Sequence, residues 1–356
     1  MQKPAILVTG ATGKTGGATI VQLLAKGYPV RALVHRTDQR SERLAKRGAK
    51  VVVGSLEDMT DLRLAMAGVA RAYFCPPLEP GTLRRASMFA AAAKDAKLEV
   101  VVALSQWVAS ADHPAAHARE KWLSDRIFQW TPGVDAVIVN PGFFADNYML
   151  ALEPMAHFGL MGMPLGNGLN APPSNEDIAR VIVGALTNPA PHIGKSYRPT
   201  GPRLLSPGEI AAAIGKALGR KVKYQDVPMK LFFKVAKSLG ISDFVIEELS
   251  YFLLDYQRNA FGLGAPTDAV LEVGGMAPEP FEETARRYVE ETGFARRTFR
   301  SNLTAVHNLV AGLVTSAPAP SSIARRLHLP TLNHPVLAAE SNSWRASHVV
   351  EGTGLA

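Results

Sequence analysis

The sequence predicts a doubly wound α/β fold: a parallel sheet with helices on both faces and a smaller lobe attached. Short apolar runs alternate with Ala-, Leu-, Lys- and Glu-rich stretches as far as Asn140, and the first of these runs breaks into a glycine-rich loop that opens a helix-like segment. After Gly142 the alternation loosens, then helical patterns return, which predicts the lobe.

The first run, Ile6-Leu7-Val8-Thr9, leads into Gly10-Ala11-Thr12-Gly13-Lys14-Thr15-Gly16 and the helix-like Ala18 to Lys26. A strand, a tight turn and a helix N-terminus place free backbone N–H groups and the positive end of a helix dipole together, which is a receptor for a pyrophosphate. Gly10 allows the sharp exit from the strand, Gly13 the close approach of backbone to phosphate, and Gly16 the close packing of helix on sheet, with Thr12, Lys14 and Thr15 completing the cradle. Lys14-Thr15 resembles the end of a P-loop, but that loop needs four residues between its glycines and here there are two. The loop therefore reads as a dinucleotide site. Pro29 to Val34 forms the second strand, and at its end, where an NAD site carries an acidic residue for the ribose hydroxyls, stand His35 and Arg36. A guanidinium there meets a 2′-phosphate with a planar fork, so NADP(H) is expected in preference to NAD(H).

Further strands are expected at Val51 to Val53, Ala70 to Phe74, Val100 to Ser105 and Asp135 to Asn140. Ligands bind at the carboxyl ends of such strands. Those ends carry Gly54-Ser55, Cys75-Pro76-Pro77, Ser105-Gln106-Trp107 and Asn140-Pro141-Gly142. The lobe's helices are expected at Asn175 to Thr187, Ser206 to Leu218, Leu231 to Leu239 and Asp243 to Tyr256. The expected division is a dinucleotide domain at 1–142, to which a later segment returns, a substrate lobe at 143–294, and a basic extension at 295–356.

Of the 356 residues, 47% are hydrophobic and 20% charged, enough chain for a large core. A single cysteine, Cys75, excludes an internal disulfide framework and a cysteine zinc site, and points to a reducing, cytoplasmic setting. No signal peptide precedes the glycine loop and no apolar run is long enough to span a membrane. The formal charge is +8, and half of it lies beyond residue 294, where six arginines face Glu340 and Glu351. The body is only mildly basic, no nucleic-acid-binding signature appears, and neither nucleic acid nor metal is expected as a partner.

Taken in order, VTGATGKTG, VVVGSLED, ALS, HAREKWLSD, VNPGFFADNYM, EDIARVIVGALT, GKSYRPTGP and GRKVKYQDVP resemble the NmrA-like group of atypical short-chain dehydrogenase/reductases over about residues 3 to 293. The resemblance implies a Rossmann domain binding NADP(H), and an NADPH-dependent reductase of a small aromatic, quinoid or carbonyl molecule. The group includes quinone, isoflavone and triphenylmethane-dye reductases, and also regulators that bind the dinucleotide without turning it over, which is the alternative reading. The wider superfamily pairs Ser with Tyr-x-x-x-Lys, and here Ser105 matches the serine and Lys121 the lysine, while His117 stands at the tyrosine. His117 and Lys121 share one helix face, which makes an imidazole the candidate proton donor and Lys121 the candidate ribose clamp. Ser55 replaces an acidic residue common beside the adenine and, with Leu56, is expected to line it. Cys75, Pro76, Pro77 and Pro141 are expected along the ribose and nicotinamide. Trp107, Phe143, Phe144 and Tyr148 are expected to wall an apolar substrate pocket.

The extension lies outside the resemblance. Leu303, Val306, Val310, Leu313 and Val314 fall at helical spacing, and beyond Pro318 the sequence reads as an irregular arm. Wrapping its own body or pairing with a second copy as a homodimer is favoured over resting on an anionic membrane, because the helix has few cations and no aromatic residue on its apolar face.

Overall fold

A computed structural model of the chain describes residues 3–295 and 299–349, with the backbone alone at 299–304, 309 and 313. Arg296, Arg297 and Glu351, part of the charge count of the extension, lie outside the described residues.

The chain opens β1 (Ile6–Val8), α1 (Lys14–Ala25), β2 (Val30–Val34), α2 (Gln39–Lys46), β3 (Lys50–Val53), α3 (Met59–Met66), β4 (Arg71–Phe74), α4 (Thr82–Asp95), β5 (Val100–Leu104), α5 (Ala116–Trp130) and β6 (Asp135–Val139). These strands, with β8 below, make one parallel sheet in the order β3-β2-β1-β4-β5-β6-β8. Side chains alternate between its faces as a pleat requires. Ile6, Val8, Val100, Val102, Val137 and Val139 enter one core with Ile20 and Leu23 of α1. Leu7, Val101, Ala103, Ala136 and Ile138 enter the other with Leu62, Phe89 and Phe128 of α3, α4 and α5. Strands covered on both faces explain why the sequence shows continuous apolar runs. The order reverses between β1 and β4, so the crevice for a ligand opens above those two strands.

The second half continues with α6 (Leu152–Phe158), β7 (Leu160–Gly162), α7 (Asn175–Thr187), β8 (Ser196–Tyr197), α8 (Pro207–Ala217), β9 (Lys223–Gln225), α9 (Met229–Ser238), α10 (Asp243–Gln257), α11 (Ala269–Gly274) and α12 (Phe281–Thr292). The chain goes back to the large sheet at α7 and β8: Ile178, Val181 and Ile182 join the core of β1, and Ile138 and Val139 pair with Ser196 and Tyr197. β7 and β9 form a separate two-stranded parallel sheet under α6 and α8. Asp38, Asp58, Ser174, Ser206 and Ser242 cap α2, α3, α7, α8 and α10, their side chains accepting from the first-turn N–H groups.

The extension holds α13 (Phe299–Val314), α14 (Pro320–Arg326) and α15 (Asn342–His348). The arm expected to be irregular thus contains two short helices, and it folds onto its own body. Trp344 is 4% exposed, packs in the lobe core with Trp107, Ala338 and Ala339, and donates its indole N–H to the Trp107 carbonyl at 3.0 Å. The Val336 N–H donates to Asp112 O at 2.8 Å, and the Ala339 N–H donates to Asp255 Oδ1 at 2.9 Å. Asp255 also meets His113 at 2.7 Å, both fully buried, so the arm is tied to a polar anchor inside the lobe. Val306, Val310 and Val314 of α13 stay exposed. Among the described residues, no helix is long and apolar enough to cross a membrane.

Trp344→Ala is expected to destabilise the whole protein by ~3–5 kcal/mol, as the loss of a large buried aromatic does. Urea unfolding measures it, and an unchanged midpoint would mean that the arm contributes nothing to the body's stability.

Candidate functional site

The glycine loop is built by contacts that leave no room for side chains. Gly10 adopts φ +58°, and a Cβ there would lie 2.7 Å from the Cys75 carbonyl oxygen on β4. A Cβ on Gly16 would come within 2.2 Å of the Gly10 carbonyl, so this glycine fits the helix against the turn itself. The Gly13 N–H donates to Gly10 O at 2.9 Å and closes the turn. α1 starts at Gly13 with no side-chain cap and no acidic residue in its first turn, so its N-terminal N–H groups remain for an anion.

The side chains around the loop are arranged differently from the sequence reading at two points. The Thr15 hydroxyl donates to Asn175 Oδ1 at 2.8 Å and ties α1 to α7, leaving only its backbone N–H for a phosphate. Lys14 Nζ lies 2.7 Å from Asp146 Oδ2 and over the Tyr288 ring at 4.8 Å, joining the loop to the lobe. Arg36 is exposed at the end of β2. Arg40, Arg43 and Arg47, one face of α2, line a groove of about 370 Å³ with Thr12, Gly13, Lys14, Arg287 and Tyr288. Their i, i+3, i+7 spacing is a signal that the sequence offered. At β3, Ser55 accepts the Glu57 N–H on its hydroxyl at 3.0 Å, and both Ser55 and Leu56 are half-buried.

At the other end, Thr9 locks β1 to β4: its N–H donates to Tyr73 O at 3.0 Å, and its hydroxyl accepts the Cys75 N–H at 2.8 Å. Cys75 is half-buried, Pro76 and Pro141 are buried and Pro77 is exposed. Burial raises the Cys75 thiol, which keeps it protonated and poorly nucleophilic. Lys121, 6% exposed, donates to Leu104 O at 2.7 Å, which carries its ammonium to the end of β5. The Ser105 hydroxyl donates to Asp125 Oδ2 at 2.6 Å. Burial pushes the Asp125 carboxyl up to about 7, against the lowering effect of Ser105 and Lys121. Asp125 lies one turn beyond Lys121 on the same face, so spacing would have found it.

His117 is 3% exposed, its Nδ1 3.4 Å from Thr82 Oγ1 and its ring edge-on to Phe244 at 5.8 Å. Burial and then the Lys121 charge hold it well below the usual imidazole range, so the ring is neutral at pH 7. A neutral imidazole lacks the readily released proton that the sequence reading gave it. The expected pocket wall is also redistributed. Trp107, Phe143 and Tyr148 are fully buried in the lobe core, with Trp107 Nε1 donating to Ala260 O at 2.9 Å and the Tyr148 and Tyr256 hydroxyls 2.8 Å apart. Phe144 is half-buried and packs against the core on the sheet side.

Gln106 and Asn140 stand at strand ends that the sequence already marked, whereas Tyr73 of β4 and Glu248 of α10 carry no signal in it. Tyr73 Oη, Gln106 Nε2, Asn140 Oδ1 and both carboxyl oxygens of Glu248 are buried and make no hydrogen bond of full geometry, although the Gln106 amide faces Glu248 and the Tyr73 hydroxyl faces Cys75. Buried polar atoms are paired in nearly all proteins, so a set of unsatisfied atoms around the strand ends fits a polar ligand. Burial, then the Glu247 charge beside it, pushes the Glu248 carboxyl up to about 8. Among the described residues, no His, Cys, Asp and Glu group is suited to a metal ion.

The glycine cradle lies within the stretch of chain that matches a known family. Residues 10–189 match the family model described as NAD(P)H-binding. The chain belongs to that family. It is 31% identical over 298 residues to the NAD(P)H azoreductase of Xenophilus azovorans, covering 82% of this chain and all of that one. Among solved structures it resembles the triphenylmethane reductase of Citrobacter sp. (20% identical, TM-score 0.70, 80% of this chain and 99% of that one). It also resembles NmrA, a negative transcriptional regulator in complex with NADP (20%, TM-score 0.68, 82% and 98%). It is thus a member of an NAD(P)H-binding family with an azoreductase among its relatives.

Asp125 and Glu248 hold their protons more tightly folded than unfolded. Unfolding therefore releases protons once pH exceeds the ordinary carboxylate range, and stability falls as pH rises toward about 8. The melting temperature is expected to fall between pH 5 and pH 9, and Glu248→Gln to flatten that decline. A decline of equal size in the variant would place the Glu248 proton elsewhere.

Proposed function

We propose that this protein is an NADPH-dependent reductase of a small aromatic, quinoid or carbonyl acceptor. The observation that carries the reading is the side-chain-free glycine cradle at the β1/β4 crevice, opposite Lys121 and the unpaired polar groups at the ends of β5 and β6. When bound, a dihydronicotinamide supplies a hydride. In this reading the N–H groups of Lys14 and Thr15 hold the diphosphate, and Lys14 exchanges Asp146 for it. Arg36, with Arg40 and Arg43 in support, meets the 2′-phosphate. Ser55 and Leu56 border the adenine, Cys75, Pro76 and Pro141 border the ribose and nicotinamide, and Lys121 clamps the ribose hydroxyls. Ser105, held by Asp125, and Phe144 border the acceptor. Closure of the lobe over the strand ends excludes water and orients the two reactants.

One observation favours the alternative of a dinucleotide-sensing regulator: the superfamily's tyrosine position holds a neutral, buried histidine. The two readings separate on turnover. NADPH oxidation is expected with at least one of a quinone, an aldehyde, an enone and an azo dye; tight NADPH binding with no acceptor reduced would support the regulator.

NADPH is expected to bind ~10- to 100-fold more tightly than NADH, the value of a charge-assisted contact to the 2′-phosphate, and Arg36→Asp to erase the difference. Fluorescence titration checks it, and undiminished discrimination in the variant would move the phosphate site to α2. Lys121→Ala is expected to weaken NADPH binding ~10-fold and to lower turnover, the loss of a buried charged hydrogen bond.

A further inference from the structure

Proton delivery is the part of this chemistry that His117 leaves open. α10 runs across the start of α5 in a fixed register. Phe244 meets the His117 ring at 5.8 Å, and two to three turns later Tyr251 and Asp255 meet His113 at 6.4 and 2.7 Å. Glu248 lies between these contacts, one turn after Phe244 and on the same face. That places a carboxyl from the lobe opposite the loop that follows β5. It is 3% exposed, and neither oxygen makes a hydrogen bond of full geometry, although the Gln106 amide lies close enough to favour its charged form. In the same loop Gln106 Nε2 is buried facing that carboxyl without a hydrogen bond of full geometry, while the neighbouring Asn140 donates its amide N–H to Gln106 O at 3.5 Å and keeps Oδ1 unpaired.

We propose that Glu248 is the catalytic acid, handing a proton to the oxygen of the hydride acceptor, with the Gln106 amide as a second donor to that oxygen. The assignment rests on the reductase reading above. In the step, the acceptor's carbonyl carbon gains a hydride from bound NAD(P)H, which is the species oxidised. The C=O π pair closes on the proton of the Glu248 carboxyl, breaking its O–H bond, and the carboxylate recovers a proton from water. The acceptor leaves as an alcohol. Two donors converging on one oxygen select carbonyl and quinoid acceptors.

The surroundings keep the carboxyl protonated at neutral pH. Burial dominates, Glu247 on its own helix and Glu120 on α5 raise it further, and the Gln106 amide and then Lys121 on α5 lower it. The cations that α9 and α14 bring to α10, Lys237 and Arg326, are paired with Asp243 in its first turn.

The test uses the full chain, Glu248→Gln and Glu248→Asp, with two kinds of acceptor. One is whichever of an aldehyde, an enone or a quinone the parent reduces fastest. The other is a cationic triphenylmethane dye, which takes a hydride to become neutral and needs no proton. Glu248→Gln is expected to bind NADPH within about threefold of the parent by fluorescence titration. It should lose ~10²–10⁴ in turnover of the carbonyl acceptor and stay within about threefold on the dye. The parent's kcat/KM for the carbonyl should decline above pH of about 8, a limb absent from Glu248→Gln and retained at lower turnover by Glu248→Asp. A solvent deuterium effect in the parent on the carbonyl and not on the dye reads the same step without a mutation. Equal losses on both acceptors, or carbonyl turnover retained with the limb in place, would overturn the assignment while leaving the reductase reading standing. Binding of NADPH by a parent that reduces no acceptor would remove the reductase reading, and the role of Glu248 with it.

Discussion

The structure depends on how closely the end of β1 passes β4 and the start of α1. Gly10 turns under the Cys75 carbonyl in a left-handed conformation, and Gly16 sits against the Gly10 carbonyl. A Cβ at either position would overlap a backbone oxygen, so the alternative to glycine is a different turn. The Thr9 hydroxyl, accepting the Cys75 N–H, fixes the same crossing from the strand side. Because the crossing is rigid, an uncapped helix N-terminus points at the place where the strand order reverses. In the proposed reading that is where a diphosphate is held, by backbone rather than by side chains.

Around this fixed point the two halves of the chain contribute opposite things. The sheet and α5 bring Ser105, Lys121 and Asp125 to the strand ends through short buried hydrogen bonds, so their positions are set by the core. The lobe brings a carboxyl that the core does not satisfy, that of Glu248. The cost of burying a carboxyl without a full hydrogen bond explains both its retained proton and its fitness to receive a polar ligand. The extension braces the lobe from behind. Trp344 on the Trp107 carbonyl and the Ala339 N–H on Asp255 anchor the arm beside α10, the helix that presents Glu248.

Legibility in the sequence followed how local each feature is. The strands of the large sheet, the glycine loop and the shared face of His117 and Lys121 depend on neighbours a few residues apart, and periodicity and spacing reveal them. The return of β8 to the sheet depends on a two-residue strand, too short to show a period. The aromatic residues near the strand ends were read as pocket wall because composition cannot separate a wall from a core. Tertiary packing buries Trp107, Phe143 and Tyr148 and leaves Phe144 half-open. Glu248 was invisible for a different reason: in EELSYFLLDY it reads as a polar position on an amphipathic helix, and only its burial against another domain's loop gives it chemistry.

The central claim is that backbone at the glycine loop holds the dinucleotide. The most direct measurement is an equilibrium NADPH titration of Gly13→Val beside its melting temperature. Gly13 has φ −77°, which valine adopts, and its Cβ would meet only the Gly10 carbonyl at 3.1 Å, so the fold should persist with a melting temperature within a few degrees of the parent. The branched side chain would occupy the space where phosphate meets backbone, and saturable NADPH binding should disappear. Parent-like affinity in a folded Gly13→Val would contradict the account, because the loop would then be a turn and nothing more.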